Sequence, residues 1–320
     1  MRAWISDYRV MITTPMTINE RLLLVIAGPT AVGKTSLGIQ IARLLNTHII
    51  SADSRQFYRE MNIGTAAPSR DELAAVPHHF IHQLSVLESY NVSRFESDVL
   101  SLLDKLFLNH PVALMVGGSG MYINAVCHGI DLLPDPDPAI RLQLKESLDR
   151  SGISVLQDEL KQVDPEYAQQ VDLANPARLI RALEIYRSTG KSYSTLRTNK
   201  PKNRPFRIVK IGIDLPREIL NQRINNRVDA MITAGLVGEA EKLYTLRHLN
   251  ALNTVGYKEL FDYLDGFVTL GHAIEKTKTN SRRYAKRQLT WFRKDSEYRW
   301  FHPDNISEIL AIPELLPFVG

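Results

Sequence analysis

Eight residues, Gly28-Pro29-Thr30-Ala31-Val32-Gly33-Lys34-Thr35, constrain this chain more than any other stretch. Directly before them Leu22-Leu23-Leu24-Val25-Ile26-Ala27 is an unbroken apolar run, as expected of a parallel strand buried on both faces. Directly after them apolar residues recur at 37, 41, 44 and 45, a helical period. A glycine loop between strand and helix is the setting of a P-loop. Gly28 and Gly33 permit backbone angles and close approach that a Cβ would block. The loop amides and the helix N-terminus then point at phosphate oxygens. Lys34 supplies a positive charge to the terminal phosphate and Thr35 a hydroxyl for Mg²⁺. The loop establishes phosphate binding and leaves the chemistry open.

Composition narrows the field. The 320 residues are 44% hydrophobic and 23% charged, an ordinary globular balance with ample length for a core. No apolar run approaches the length of a membrane span, so no membrane association is expected. The single cysteine, Cys127, excludes an internal disulfide and a cysteine-based zinc site, and fits a reducing cytoplasm. A net charge of only +4 means that any argument for nucleic acid must rest on local clustering. Residues 1–20 form an extension without the apolar core of a secretory signal, and Met11 or Met16 could serve as alternative starts.

Further along, His48-Ile49-Ile50-Ser51-Ala52 reads as a strand that runs into Asp53-Ser54-Arg55-Gln56. Loops at the carboxyl ends of parallel strands gather beside the P-loop. Asp53 there can be a general base or help hold Mg²⁺, or can equally be a helix cap or turn residue. His78, His79 and His82 are not read as a metal site, because strand alternation sends His78 and His79 to opposite faces. A helix is predicted over 92–107, and Pro111–Val116 is another buried strand that ends in Gly117-Gly118-Ser119-Gly120. Ser119 is placed to bond a substrate or simply to turn the chain.

From about Ala125 to Lys202 the character changes. Proline-punctuated Leu133–Pro138 leads into helical patterns near 139–150, 153–162 and 176–189, with Pro165 and Pro176 at helix starts. The predicted organisation is an α/β parallel-sheet core of the P-loop NTPase type over 21–124 and 203–320, interrupted by an all-helical insertion over 125–202. On the 175–188 helix Arg178 and Arg181 share a face, whereas Arg187 is expected to be a solvated charge. The sheet resumes at Arg207–Asp214, and Pro216 opens a helix that carries Arg223 and Arg227, four residues apart. In P-loop enzymes arginines so placed offset the charge of a leaving phosphate. Residues 274–294 hold eight Lys or Arg and one acid. At 100° per residue Arg282, Lys286 and Arg293 fall on one line, Arg283, Arg287 and Lys294 on the next, and Ala285, Leu289 and Phe292 opposite them. A helix docked by one face and cationic on the other, with Tyr284 or Trp291 at its margin for stacking, suits a nucleic-acid backbone better than bare solvent. Tyr298–Phe301 would close the sheet.

Together these segments resemble the bacterial members of the tRNA dimethylallyltransferase, or tRNA isopentenyltransferase, family. The shared landmarks are the P-loop, Asp53-Ser54-Arg55-Gln56, Gly64-Thr65-Ala66, Pro77-His78-His79 and Gly117-Gly118…Gly120…Tyr122. They continue with Arg181-Ala182-Leu183-Glu184, Gly256-Tyr257-Lys258-Glu259 and Tyr284-Ala285-Lys286-Arg287-Gln288…Thr290-Trp291-Phe292. Val32, Ser119, Met121 and Pro176 depart from the usual residues; Ser119 in place of Thr keeps the hydroxyl. The eukaryotic C-terminal zinc finger has no counterpart. The resemblance implies that Gly28, Pro29, Thr30, Ala31, Val32, Gly33, Lys34 and Thr35 bind the diphosphate of dimethylallyl diphosphate. It implies that an adenine beside the anticodon is flipped into the site. Asp53 would take the amine proton, Ser119 would hold the adenine, and Arg223, Lys34 and Thr35 with Mg²⁺ would neutralise diphosphate. The tRNA anticodon stem-loop would be gripped by Asp53, Ser54, Arg55, Gln56, Ser119, Arg141, Ala177, Arg178, Leu179, Ile180, Arg181, Arg282, Arg283, Lys286 and Arg287, and the enzyme would act as a monomer. Two rivals remain: a P-loop kinase of a nucleoside or small metabolite, which needs no basic helix, and a non-catalytic RNA-binding protein switched by NTP.

Overall fold

A computed structural model describes residues 20–131, 133–135, 137–198 and 200–319. The alternative starts at Met11 and Met16, and Pro136 of the proline-punctuated stretch, lie outside the described residues. The chain divides into two compact units, one made of residues up to Cys127 and from Arg204 onward, the other of His128–Asn203.

The larger unit is built on six parallel strands: β1 (Leu22–Ala27), β2 (Ile49–Ala52), β3 (His78–His79), β4 (Val112–Gly117), β5 (Arg207–Ile213) and β6 (Tyr298–Phe301). They lie in the order β3-β2-β4-β1-β5-β6. Its helices are α1 (Lys34–Leu44), α2 (Arg70–Ala75), α3 (Val92–Leu106) and α4 (Gly120–His128). Past the smaller unit come α10 (Arg217–Thr233), α11 (Leu236–Leu243), α12 (Tyr257–Leu264), α13 (Leu270–Phe292) and α14 (Ile306–Leu310). Strand alternation sorts β1 between two cores. Leu23, Val25 and Ala27 pack with Phe57, Phe95, Tyr257 and Phe292, while Leu22, Leu24 and Ile26 pack with Leu37 and Ile41 of α1. The register aligns Ala27 with Gly117 and Gly212, and Ala52 with Gly117. The loops after β1, β2 and β4 therefore emerge together where the strand order reverses around β1, the crevice in which open α/β sheets bind ligands.

The smaller unit holds α5 (Pro138–Ser151), α6 (Ile153–Val163), α7 (Pro165–Gln170), α8 (Pro176–Thr189) and α9 (Tyr193–Leu196). Its own core is Leu144, Leu156, Leu160, Tyr167, Leu179 and Leu183. The larger unit's chain ends are tied together at the junction. The Arg204 guanidinium donates to the Ala125 and Val126 carbonyls at 2.7 and 2.8 Å and pairs with Glu96 at 2.7 Å. In the smaller unit Lys202 N donates to His128 O at 2.7 Å. Among the described residues no helix is long and apolar enough to cross a membrane.

Candidate active site

The P-loop runs from the end of β1 to the first turn of α1. A Cβ on Gly28 would stand 2.5 Å from the Ile213 carbonyl oxygen of β5, so only glycine fits there. Gly33 caps α1 with φ 106°, in the left-handed region. Behind the turn opens a cavity of about 310 Å³, lined by Thr30, Lys34, Thr35, Asp53 and Arg227 together with Ala66, Ile224, Val228, Met231, Val255 and Tyr284. Its lining combines ionisable side chains with apolar ones.

Lys34 Nζ donates to Pro29 O at 2.7 Å. Removal from water lowers its pKa from 10.5 to about 7, Asp53 opposes that shift, and Arg227 reinforces it. Burial thus disfavours the ammonium in the ligand-free cavity, and an anion beside it would favour the ammonium again. Arg227 donates to Thr30 Oγ1 at 3.2 Å, and burial lowers its pKa although Asp53 draws it up. Arg223, one turn earlier, reaches the Val32 carbonyl at 3.4 Å from outside the cavity lining, so of these two arginines it is Arg227 that lines the cavity with Lys34. Asp53 Oδ1 accepts the Arg55 N–H at 3.1 Å, and Oδ2 has no hydrogen-bond partner among the described residues. Asp53 and Thr35 both line the cavity, and their oxygens are donors of the kind a hard divalent cation takes.

Ser119 Oγ accepts the Ser54 N–H at 3.0 Å and donates to Ser54 Oγ at 3.2 Å, and Ser119 N donates to Ala52 O at 3.1 Å. The turns after β2 and β4 are thereby fastened together beside Asp53. Gln56 Nε2 donates to the Thr65 and Ala66 carbonyls, each at 3.3 Å, and Arg55 donates to the Asn250 and Ala251 carbonyls at 2.9 and 3.0 Å. The main chain already holds both side chains.

Helix α13 lines two cavities. Thr277, Ser281, Tyr284 and Gln288 face the first. Arg282, Arg283, Lys286 and Arg293 face a second cavity of about 850 Å³, floored by Leu220, Leu289 and Phe301. Arg282 donates to Asn225 and Thr279, Arg283 to Asn280 at 3.4 Å, and Lys286 makes no ion pair among the described residues. Arg287 lies over the Tyr284 ring at 5.7 Å. Arg293, predicted to extend the cationic line, instead caps the helix and pairs with Asp214, and Lys294 falls beyond its end.

Gln288, to which sequence reasoning assigned no role, joins two loops. Its Oε1 accepts the Thr30 N–H at 2.9 Å and its Nε2 donates to the Gly118 carbonyl at 2.9 Å. A signal existed in the spacing 277, 281, 284, 288, a polar stripe beside the apolar one.

In the helical unit three expectations are corrected. Leu179 and Ile180 are buried in that unit's core, so their side chains hold the helix and present nothing to a ligand. Arg187 is not a free solvated charge: Nε and Nη2 clamp both oxygens of Glu159 at 2.8 and 2.7 Å. Ala177 and Arg178 are exposed, while Arg141 and Arg181 flank the fully buried Glu184 carboxylate at 3.2 and 3.0 Å.

Comparison with known proteins bears directly on this site. The family model of the IPP transferases matches residues 56–295. A tRNA dimethylallyltransferase of Christiangramia forsetii is 54% identical over 89% of this chain and 95% of its own. Another, of Bacteroides fragilis, is 50% identical over 92% and 98%. Among solved structures, the full-length tRNA isopentenylpyrophosphate transferase of Bacillus halodurans superposes with a TM-score of 0.69 at 40% identity, covering 93% of this chain and 98% of that one. A eukaryotic dimethylallyltransferase solved acting on tRNA gives 0.73 at 25% identity, covering 93% and 77%. These likenesses support neither a kinase nor a passive RNA binder. With a parallel sheet of the P-loop NTPase type and relatives matched over nearly their whole length, the chain belongs to the IPP transferase family, the enzymes named tRNA dimethylallyltransferases.

Proposed function

We propose that this chain transfers the dimethylallyl group of dimethylallyl diphosphate to the exocyclic amine of the adenine 3′ to the anticodon in tRNA. The observation that carries the reading is the single cavity shared by Lys34, Thr35, Asp53 and Arg227 with an apolar wall. The amine nitrogen forms a bond to the allylic carbon as the carbon–oxygen bond breaks. The bonding pair leaves with diphosphate, and the amine proton passes to Asp53. Lys34, Arg227 and Arg223, aided by the P-loop amides, neutralise the departing charge. Thr35 would hold Mg²⁺, which supplies further neutralisation of diphosphate oxygens and leaves the Asp53 carboxylate to take the proton. Ser119, through the turn it shares with Ser54, holds the adenine once it leaves the stack. The anticodon stem-loop is gripped by the Asp53–Gln56 turn, the cationic face of α13 at Arg282, Arg283, Lys286 and Arg287, and the helical unit at Arg141, Ala177, Arg178 and Arg181. The reaction takes place in the cytoplasm, where tRNA is matured, and the enzyme works as a monomer.

The test is transfer of labelled dimethylallyl from its diphosphate to unmodified tRNA, wild type against Asp53→Ala. The variant should lose about 10²- to 10⁴-fold in kcat at saturating tRNA, far more than any loss in tRNA affinity. Absence of transfer by the wild type to any such tRNA, with ATP-dependent phosphorylation of a nucleoside in its place, would overturn the reading.

A further inference from the structure

Gly64-Thr65-Ala66 lines the first cavity, yet no step above uses it. What holds it in place lies 175 residues further along. Glu239, on α11, turns its carboxylate onto this loop and accepts four hydrogen bonds. Oε2 takes the N–H groups of Asn62 at 3.1 Å and Ile63 at 2.8 Å. Oε1 takes the Gly64 N–H at 2.9 Å and the Tyr257 hydroxyl at 2.6 Å. Three successive amides converge on one anion, an arrangement in which backbone groups bind a charge without a cation. Glu239 makes no ion pair with Lys, Arg or His among the described residues. The carboxylate is balanced by these donors, each a charge-assisted bond.

Tyr257 completes the anchor. It is fully buried, and a Cβ on Gly64 would stand 2.6 Å from its ring, so loop and ring are in the closest contact a glycine allows. From the other side Gln56 holds the Thr65 and Ala66 carbonyls, and Ala66 takes a left-handed φ of 46°. The wall is therefore fixed from both faces, and only one of its two anchors borders the catalytic turn.

We infer that Glu239, with Tyr257, is a positioning residue that sets the Gly64–Ala66 wall of the substrate cavity. It touches no reacting atom; it acts through the loop. The inference rests on the prenyl-transfer reading above for what the wall touches, but not for the anchoring itself. A carboxylate is required because both oxygens accept. In Glu239→Gln the amide group must face at least one N–H donor, and the loop is released.

The experiment takes the full-length chain and compares wild type, Glu239→Gln, Tyr257→Phe and Gly64→Ala. Amide hydrogen exchange on the free protein should accelerate at residues 62–66 in Glu239→Gln while α1 stays protected, a readout independent of any reaction. The affinity for inorganic diphosphate should change by less than about twofold, because the P-loop is untouched. Turnover with dimethylallyl diphosphate and unmodified tRNA should fall about 10- to 100-fold in kcat, the scale of a displaced substrate. Gly64→Ala, which shifts the same wall by contact with Tyr257, should share that signature, and Tyr257→Phe, which removes one bond of four, should show a weaker form. Unchanged exchange at 62–66, or unchanged kcat with the loop released, overturns the inference. Loss of diphosphate affinity in parallel with kcat overturns it too, by showing a general loss of structure. If the wild type transfers no prenyl group yet the loop is released, the anchoring holds and the prenyl-transfer reading fails.

Discussion

The two sides of α13 serve opposite electrostatic purposes. Toward the first cavity it presents Thr277, Ser281, Tyr284 and Gln288, all neutral, although Lys34, Asp53 and Arg227 stand opposite. Toward the second it presents Arg282, Arg283 and Lys286. Where water is scarce each further cation would be costly and would depress its neighbours, as Lys34 already shows with a pKa near 7. The helix closes that cavity with hydrogen bonds instead. On the open side cations lose less hydration, and on the proposed function they are accumulated there for a polyanion. On the proposed function, one helix thus separates a site that uses few charges from a surface that would gain affinity from many.

The contrast can be broken most severely at Lys34. Lys34→Ala removes the central cation of the enclosed side, and prenyl transfer should fall about 10²- to 10³-fold in a steady-state assay, with tRNA affinity by filter binding nearly unchanged. Next in size, Gln288→Ala leaves the Thr30 amide and the Gly118 carbonyl unpaired in a buried place, at about 1–3 kcal/mol for each. Denaturant titration should show that loss, and Gln288→Glu should not restore it, since a carboxylate faces the Gly118 carbonyl. On the open side, Arg283→Ala with Lys286→Ala should leave diphosphate affinity alone. It should flatten the salt dependence of tRNA binding by about one to two units of logarithmic slope. A slope equal to wild type would remove the cationic side from the RNA interface.

The smallest effect is a proton. Because the Lys34 pKa is lowered to about 7 in the folded chain, the unfolded chain binds more protons between there and 10.5. Lys34 therefore makes the free protein more stable as pH rises through that window, the reverse of its effect on the ligand. Diphosphate favours the ammonium, so its binding at pH 8 should be accompanied by uptake of a fraction of a proton. Calorimetry in buffers of different ionisation enthalpy measures that uptake, and proton release on binding would contradict the assignment.

The strands, the glycine turn and the helices of the second unit were legible because each is announced within a few residues. Leu22–Ala27 is apolar throughout because both faces of β1 are covered, and Asn175-Pro176 marks a helix start that α8 uses. The residues that went unread act across long separations. Gln288 meets Thr30 over 258 positions and Glu239 meets Gly64 over 175, distances at which period and spacing carry no information. Leu179 and Ile180 were misjudged for a different reason. Helix α8 buries 179, 180 and 182–185, more than one stripe, so motif membership said less about exposure than the packing around the helix did.

The knot of bonds at Arg204 has an evolutionary consequence. It ties the point where the chain leaves the sheet-bearing unit to the point where it comes back, and Lys202 with His128 does the same for the branch. A branch that departs and rejoins through adjacent stumps can be lengthened, trimmed or exchanged without changing the strand register of its host. Descendants of one ancestral chain could in this way vary the side arm alone, while the sheet and its glycine loop stayed as they were.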